Sequence, residues 1–143
     1  MAKTSLLRNK TLIVGCGRLG SSVANKDSLA GKNVLVVDKN PSAFELLSDR
    51  FSGYTFSGDV TDLALLEEAS IGSTKEIIIA TGDDNVNIFI AHVASQIYSV
   101  PNIYVRLDDP SLEILLRGLV NVHPIFPFEL SLDKFKLLRG GNR

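Results

Sequence analysis

The amino-acid sequence predicts an α/β fold, a doubly wound parallel six-stranded sheet with helices on both faces. Apolar runs of strand length alternate with helix-length segments along the whole chain, which is the pattern of a parallel sheet. The runs at 11–14 and 76–80 lack apolar–polar alternation, which is typical of strands covered on both faces. A glycine-rich turn directly follows the first run. Right-handed crossovers then give the strand order 3-2-1-4-5-6.

Length and composition exclude several classes of protein. The 143 residues amount to about one domain, and 15 basic against 16 acidic residues leave a formal net charge of −1. This balance argues against a nucleic-acid partner. Cys16 is the only cysteine, so no intrachain disulfide can form, and a reducing cytoplasm fits. No apolar run is long enough to span a membrane, so direct membrane insertion is not expected. Residues 1–9 are predicted to be a short N-terminal arm.

The first strand leads into Gly15, Gly17 and Gly20, which have the spacing G-x-G-x-x-G. In such a turn the first glycine allows the bend and the second lets a pyrophosphate approach the backbone. The third lets the following helix, predicted from Arg18 to about Ala30, pack against the strand. The N-terminus of that helix would direct unpaired N–H groups at phosphate. Taken by itself, this glycine motif could also be a glycine-rich turn that binds no ligand.

A second apolar run, at 33–37, ends in Asp38. In a Rossmann-type βαβ unit, an acidic residue at this point accepts hydrogen bonds from ribose hydroxyls. The two halves of the pattern together favour nucleotide binding. Asp38 would repel a 2′-phosphate, so NADP is not expected, but it does not distinguish NAD from AMP, ADP or ATP.

The other strands are predicted at 54–57, 76–80, 102–107 and 120–126, the last at an edge because it contains Pro124. Asn40 (followed by Pro41), Thr61 and Asp109 are predicted to cap helices. Another helix should run from the polar loop 81–87 to about Tyr98, and a last one over 129–138. The residues predicted to face the core are Leu19, Val23 and Leu29; Phe44, Leu47 and Phe51; Val86, Phe89, Ile90, Val93 and Ile97; and Leu112, Leu115, Leu116 and Leu119.

The loops after strands one to four converge where the strand order reverses, which is where ligands bind in such sheets. Arg18 either reaches a terminal phosphate or a carboxylate of a partner chain, or is solvated. Asp59 either lies near adenine or only supports the helix entry beside Thr61. Arg106 interrupts an apolar strand and is predicted to pair with ligand phosphates, because a buried arginine needs an anion. Cys16 is interpreted as a small space-filling residue rather than a redox group.

Motifs for catalysis are not found. None of Tyr54, Tyr98 and Tyr104 has a lysine four residues later, and there is no G-x-S-x-G and no Walker lysine. His92 and His123 have no neighbours at metal-ligand spacing. We therefore expect a nucleotide sensor rather than an enzyme. The alternative is the dinucleotide-binding half of an oxidoreductase whose catalytic domain is on another chain.

Five segments resemble the N-terminal nucleotide-binding domain of potassium-transport regulators, known as the TrkA-N, KTN or RCK N-terminal domain. The resemblance covers residues 10–125. Its segments are GCGRLG at 15–20, VDKNP at 37–41, GDVTD at 58–62, ATGDDNVN at 80–87 and VPNIYVR at 100–106. The second of these contains Asp38, and the third and fourth are the most specific.

The resemblance implies a cytoplasmic regulatory subunit or domain at the inner face of the membrane. Such proteins form dimers or rings of dimers with a membrane potassium channel or transporter. They bind NAD(H) or ADP/ATP and gate transport by a conformational change. Phosphates would lie at 15–19, ribose at Asp38, adenine near Asp59 and Val60, and Thr81 and Gly82 would close over the ligand. The predicted cofactor-binding residues are Gly15, Cys16, Gly17, Arg18, Leu19, Gly20, Asp38, Lys39, Asp59, Val60, Thr81, Gly82 and Arg106.

The C-terminal part departs from the family pattern. The family often has a glutamate directly after the proline that follows strand six, whereas Ile125 follows Pro124 here, which puts a metal or interchain role of that glutamate in doubt. Residues 10–127 are expected to form the nucleotide-binding domain, and 128–143 a C-terminal helix, with no further ligand-binding domain. The apolar residues of this helix predict either a subunit interface or packing back on the sheet. They are Leu130, Leu132, Phe135, Leu137 and Leu138.

Overall fold

A single parallel sheet forms the centre of the molecule in the computed structural model, which describes residues 9–140. The order of its six strands is β3-β2-β1-β4-β5-β6, which confirms the predicted topology. The strands are β1 (Lys10–Val14), β2 (Asn33–Asp38), β3 (Tyr54–Ser57), β4 (Glu76–Ile79), β5 (Asn102–Arg106) and β6 (Val122–Ile125). Almost all of the predicted arm at 1–9 lies outside the described residues.

The helices are α1 (Arg18–Leu29), α2 (Leu63–Glu68), α3 (Asp84–His92) and α4 (Pro127–Leu138). Short 3₁₀ turns occupy Pro41–Leu46, Ile71–Ser73 and Pro110–Leu116, and a π-helical segment, Val93–Ile97, continues α3. Within residues 9–140, no helix combines the length and the apolar character needed to cross a bilayer.

Successive residues of β1 face opposite sides of the sheet and enter two separate cores. Leu12 and Val14 belong to the larger cluster, with Leu66 of α2 and Ile90 of α3. Ile13 belongs to a smaller cluster on the other face. Both faces are therefore covered, which is why the strand sequences are apolar without alternation.

Two predictions, one about α1 and one about the segment after β2, are wrong in detail. Leu29 is 65% exposed, because Ser28 takes the inward position and accepts a hydrogen bond from the main-chain N–H of Ser52 (3.0 Å). The segment capped by Asn40 is a 3₁₀ turn rather than a longer helix. Asn25 of α1 stops it by donating to the carbonyl of Leu46 and accepting from the N–H of Ser48.

The predicted cap Thr61 does not begin the next helix. Its N–H and hydroxyl both donate to Asp59 Oδ1 (2.9 and 2.7 Å), so its hydroxyl is already engaged. Asp62 caps α2 instead, accepting from the N–H of Ala64 (2.9 Å).

The predicted inner face of the long helix after β4 is also partly wrong. Phe89 and Ile97 are exposed, whereas Asn87 and Ala91 are buried. The helix is rotated so that the Asn87 amide reaches the sheet, and the wider π-helical segment shifts the register before Ile97. In the 3₁₀ turn after β5, Leu115 is likewise exposed, while Leu112 and Leu116 pack against the core.

The edge strand β6 carries Pro124 on its outer side. The carbonyls of Asn121 and Ile125 accept hydrogen bonds from the N–H groups of Ile103 and Leu107 (both 2.9 Å). Pro124 lies between these inward-bonding positions, so its nitrogen points away from β5. The proline therefore costs the sheet no hydrogen bond, as an edge position requires.

Candidate nucleotide-binding cleft

A cavity of about 530 Å³ opens at the carboxyl ends of β1, β2, β4 and β5. The strand order reverses between β1 and β4, so the cavity lies at the topological switch point where doubly wound sheets bind ligands. Its lining residues are Gly15, Cys16, Gly17, Asp38, Lys39, Asn40, Ala43, Val60, Ala80, Thr81, Gly82, Asp83, Val86 and Arg106.

The three glycines of the turn after β1 have different surroundings. Gly15 has φ +100°, and a Cβ there would lie 2.7 Å from backbone atoms of Ala80 and Thr81. A Cβ on Gly20 would lie 1.9 Å from the carbonyl oxygen of Gly15, so helix and turn are in backbone contact. At Gly17 a Cβ would meet nothing within 4 Å, because this residue faces the cavity. The first and third glycines are thus needed by the fold, while the second leaves space for a ligand.

Asp38 is held in place by main-chain donors at both of its oxygens. Oδ2 accepts from the N–H of Cys16 (2.7 Å), and Oδ1 accepts from the N–H of Asn40 (2.8 Å). Each carboxylate oxygen can accept more than one hydrogen bond. The side chain lines the cavity with acceptor capacity remaining, which suits a pair of hydroxyl groups.

Cys16 lies between the glycines with its side chain fully buried. Burial, assisted by the negative charge of Asp38, raises the pKa of its thiol to about 11. The thiol therefore stays protonated at neutral pH, in keeping with a space-filling role.

The loop after β4 is fixed by Asn87 of α3. Its Nδ2 donates to the carbonyls of Thr81 (3.0 Å) and Arg106 (2.9 Å). Its Oδ1 accepts from both the N–H (3.2 Å) and the hydroxyl of Thr81. One buried amide thus connects two loops at the rim of the cavity.

Arg106, at the end of β5, is paired with Asp108. Its Nε donates to Oδ1 (2.9 Å) and its Nη2 to Oδ2 (3.1 Å), the two-point geometry typical of a strong arginine–carboxylate pair. Asp84 at the start of α3 accepts from the main-chain N–H groups of Asp108 (2.8 Å) and Asp109 (2.9 Å). The counter-ion of Arg106 is therefore itself anchored.

Most of the residues predicted from the sequence line this cavity, but Arg18, Leu19, Gly20 and Asp59 do not. Arg18 is an exposed residue at the start of α1, and Leu19 packs in the smaller core cluster. Gly20 is buried against Gly15. Asp59 is bound to Thr61, whose hydrogen bonds lower the pKa of its carboxyl group. The contact between Asp59 and Thr61 matches the alternative in which Asp59 supports the helix entry.

Five further residues that line the cavity were not predicted from the sequence. They are Asn40, Ala43, Ala80, Asp83 and Val86. Asn87 lies in the ATGDDNVN segment at 80–87, but nothing in the spacing of that segment indicates that its amide is buried. Asp108 follows Arg106 by two residues, and this i, i+2 pairing of opposite charges at the end of a strand was the available signal. No cluster of potential metal ligands occurs in the described part of the chain.

The sheet order and the cleft at the switch point define a Rossmann-type α/β protein. The model of the TrkA-N domain family matches residues 11–126, so the chain belongs to this family. A curated relative, the Trk system potassium uptake protein TrkA of Streptomyces coelicolor, is 35% identical over 99 residues. That alignment covers 69% of this chain and 44% of the relative. The chain spans about half the length of the curated relatives it matches.

Solved structures share the fold. The Kef C-terminal domain of Shewanella denitrificans in its AMP-bound form has a TM-score of 0.71 and 25% identity, over 91% of this chain and 82% of that one. The GsuK channel bound to NAD has a TM-score of 0.67 and 22% identity, over 80% of this chain and 21% of that one. GsuK bound to ADP has a TM-score of 0.66 and 23% identity, over 82% and 31%.

Proposed function

We propose that this chain is the nucleotide-binding domain of a cytoplasmic regulator of potassium transport. It binds NAD(H) or ADP/ATP in the cleft and acts on a membrane channel or transporter by changing conformation, without catalysing a reaction. Family membership and the name of the Streptomyces relative support the link to potassium uptake. The Kef domain in its AMP-bound form and the GsuK structures bound to ADP and NAD support an adenine nucleotide as ligand.

The observation that carries the proposal is the arrangement of Asp38 beside the open face of Gly17. The carboxylate is fixed by two main-chain N–H groups and lines the cavity. It would accept hydrogen bonds from the two hydroxyls of an adenosine ribose. The phosphates would then lie over Gly17, where no side chain intervenes and the N-terminus of α1 attracts negative charge.

The same carboxylate gives the proposed discrimination against NADP. A 2′-phosphate would place two negative charges next to the Asp38 carboxylate, which its main-chain hydrogen bonds keep in the cleft. Lys39 also lines the cavity, but it is exposed and its charge is solvated. We expect repulsion from Asp38 to dominate, so that NADPH binds more weakly than NADH.

The connection between Thr81, Asn87 and Arg106 is the proposed route from ligand to conformation. Thr81 and Gly82 would close over a bound nucleotide, and Arg106 would contact its phosphates. Because Asn87 is bonded to both loops, a shift of either loop moves α3. Arg18, an exposed residue at the start of α1, would contact a terminal phosphate or a carboxylate of a second copy.

We also propose that the chain forms homo-oligomers, either a dimer or a ring of dimers, and that the segment 128–143 is an assembly element separate from the domain at 10–127. The apolar residues of α4 do not pack back on the sheet. Leu130, Leu137 and Leu138 are between 63% and 74% exposed, and α4 has no buried residue. An exposed apolar surface of this extent is typical of an interface.

Calorimetric titration with NAD, NADH, ADP, ATP and NADPH tests the binding proposal. Wild-type protein should bind at least one of the first four, and NADH more tightly than NADPH. Asp38→Ala should lose binding, whereas Asp49→Ala, which removes an exposed carboxylate away from the cavity, should keep it. The proposal would be contradicted if NAD, NADH, ADP and ATP all gave no heat of binding. It would also be contradicted if the protein catalysed the oxidation of NADH by a simple acceptor.

A further inference from the structure

We propose that Asp108 is a specificity-determining residue, which competes with the second phosphate of an adenine nucleotide for Arg106. It thereby lowers the affinity for ADP and ATP relative to AMP. This inference rests on the proposed binding of adenine nucleotides in the cleft. Asp108 itself does not line the cavity and acts only through the arginine that does.

The strand order determines how far Arg106 lies from Asp38 across the sheet. Asp38 ends β2 and Arg106 ends β5, with β1 and β4 between them. Adjacent strands are about 4.8 Å apart, so these two side chains start about 14 Å apart across the sheet. With the ribose at Asp38, the first phosphate lies over the glycine turn of β1. Only groups beyond it extend across β4 towards Arg106.

A ligand that ends at its first phosphate therefore leaves the Arg106–Asp108 pair intact. A second phosphate reaches an arginine whose Nε and Nη2 already donate to Asp108 at 2.9 and 3.1 Å. To bond this phosphate, the guanidinium has to give up part or all of that pairing. The pair is only partly solvated, since the Arg106 and Asp108 side chains are 22% and 32% exposed, so water replaces the lost contact incompletely.

Asp108 is well placed to compete because its own position is fixed. Its main-chain N–H donates to Asp84 Oδ1, and the neighbouring N–H of Asp109 donates to Oδ2. On the other side, the carbonyl of Arg106 is held by Asn87. The backbone at both residues is thus anchored to α3, and the guanidinium is the part that moves. Breaking the ion pair costs affinity only for ligands that reach it.

Calorimetry with AMP and ADP on three proteins tests the proposal. Asp108→Asn keeps the shape of the side chain and an acceptor for Arg106 but removes the charge. It should strengthen ADP binding about fivefold and leave AMP binding within about twofold of wild type. Glu113→Gln removes the same charge from an exposed residue on the next 3₁₀ turn, and the ratio of ADP to AMP affinity should stay as in wild type.

An Asp108→Asn protein with the wild-type ratio of affinities, or a lower preference for ADP, would overturn the proposal. If wild-type protein bound neither AMP nor ADP, Asp108 would have no second phosphate to compete with and this inference would fail. The proposed function would fail only if NAD, NADH and ATP also gave no binding, so the two failures are distinguishable. A second measurement uses wild-type protein alone. The ¹⁵N resonance of Arg106 Nε, assigned with Arg106→Lys, should shift on addition of ADP but not of AMP. Equal shifts with both nucleotides would also overturn the proposal.

Discussion

The side-chain amide of Asn87 donates a hydrogen bond to the main-chain carbonyl of Arg106 at 2.9 Å, and so joins α3 to the end of β5. The same nitrogen donates to the carbonyl of Thr81, and the side-chain oxygen accepts from the N–H of Thr81. The residue is fully buried, so water does not replace these bonds when they are removed. The loops after β4 and β5 are therefore held at a fixed separation by one side chain.

Asn87→Ala should reduce the free energy of unfolding by about 3 kcal/mol, because the carbonyls of Thr81 and Arg106 lose a buried donor. Urea denaturation measures this difference. Asn85→Ala, an exposed position in the same helix, should change stability by no more than about 0.5 kcal/mol. Equal stabilities of the two variants would show that the buried amide does not hold the loops.

Gly17→Ala should fold normally but bind nucleotide at least about tenfold more weakly. Gly17 has φ −84°, which alanine adopts readily, and its Cβ would meet no protein atom within 4 Å. The methyl group would occupy the space proposed for phosphate. Thermal unfolding measures stability, and calorimetry measures binding. Gly72→Ala is the control, since its Cβ would make only ordinary contact with Tyr98 at 3.6 Å. If Gly17→Ala bound nucleotide as tightly as wild type, the phosphates would not lie over Gly17.

Stability should fall as the pH rises from about 9 to about 11, in part because of Cys16. Its pKa is raised from 9.0 to about 11 in the folded protein, so the unfolded chain loses the proton first. The stabilisation is complete below pH 9 and is lost as the pH passes through this window, by at most about 3 kcal/mol. Urea titrations across the range should show a steeper loss for wild type than for Cys16→Ala. If the stabilities of wild type and Cys16→Ala fell equally steeply with pH, burial would not raise the pKa of Cys16.

If α4 forms the proposed interface, Leu130→Glu should shift the protein towards smaller species, because association would bury the introduced charge at a cost in free energy. Sedimentation velocity over a range of concentrations measures the change. Ser131→Glu adds the same charge at the adjacent exposed polar position and should have a weaker effect. If both variants sediment like wild type, α4 is not the assembly surface.

The sequence was sufficient for the strand order because strand-length apolar runs alternate with helix-length segments along the chain, and right-handed crossovers then limit the topology. It was also sufficient for most of the cleft, since glycine spacing and the position of Asp38 follow from the geometry of a βαβ unit. These signals are either local or depend on the simple rule that the carboxyl ends of parallel strands lie at the same end of the sheet.

Most of the errors arose where a contact between distant residues decides the local structure. Asn25 ends the 3₁₀ turn at Leu46, which is 21 residues away in the sequence. The wrong cap at Thr61 has a local cause instead, because Asp59, two residues earlier, engages its hydroxyl. The rotation of α3 follows from the bond between Asn87 and Arg106, which are 19 residues apart. Periodicity along one helix carries no information on such bonds, so Phe89 was assigned to the wrong face.

Pro124 has a consequence for how the molecule behaves when crowded. Its ring nitrogen faces outward from the last strand, where a peptide N–H would otherwise be offered to a strand from another molecule. An unpaired N–H group at a sheet edge can pair with a strand of another molecule, and repeated pairing of this kind leads to fibrils. Pro124 therefore removes one donor from the β6 edge of the sheet and makes the addition of a further strand at that edge less favourable.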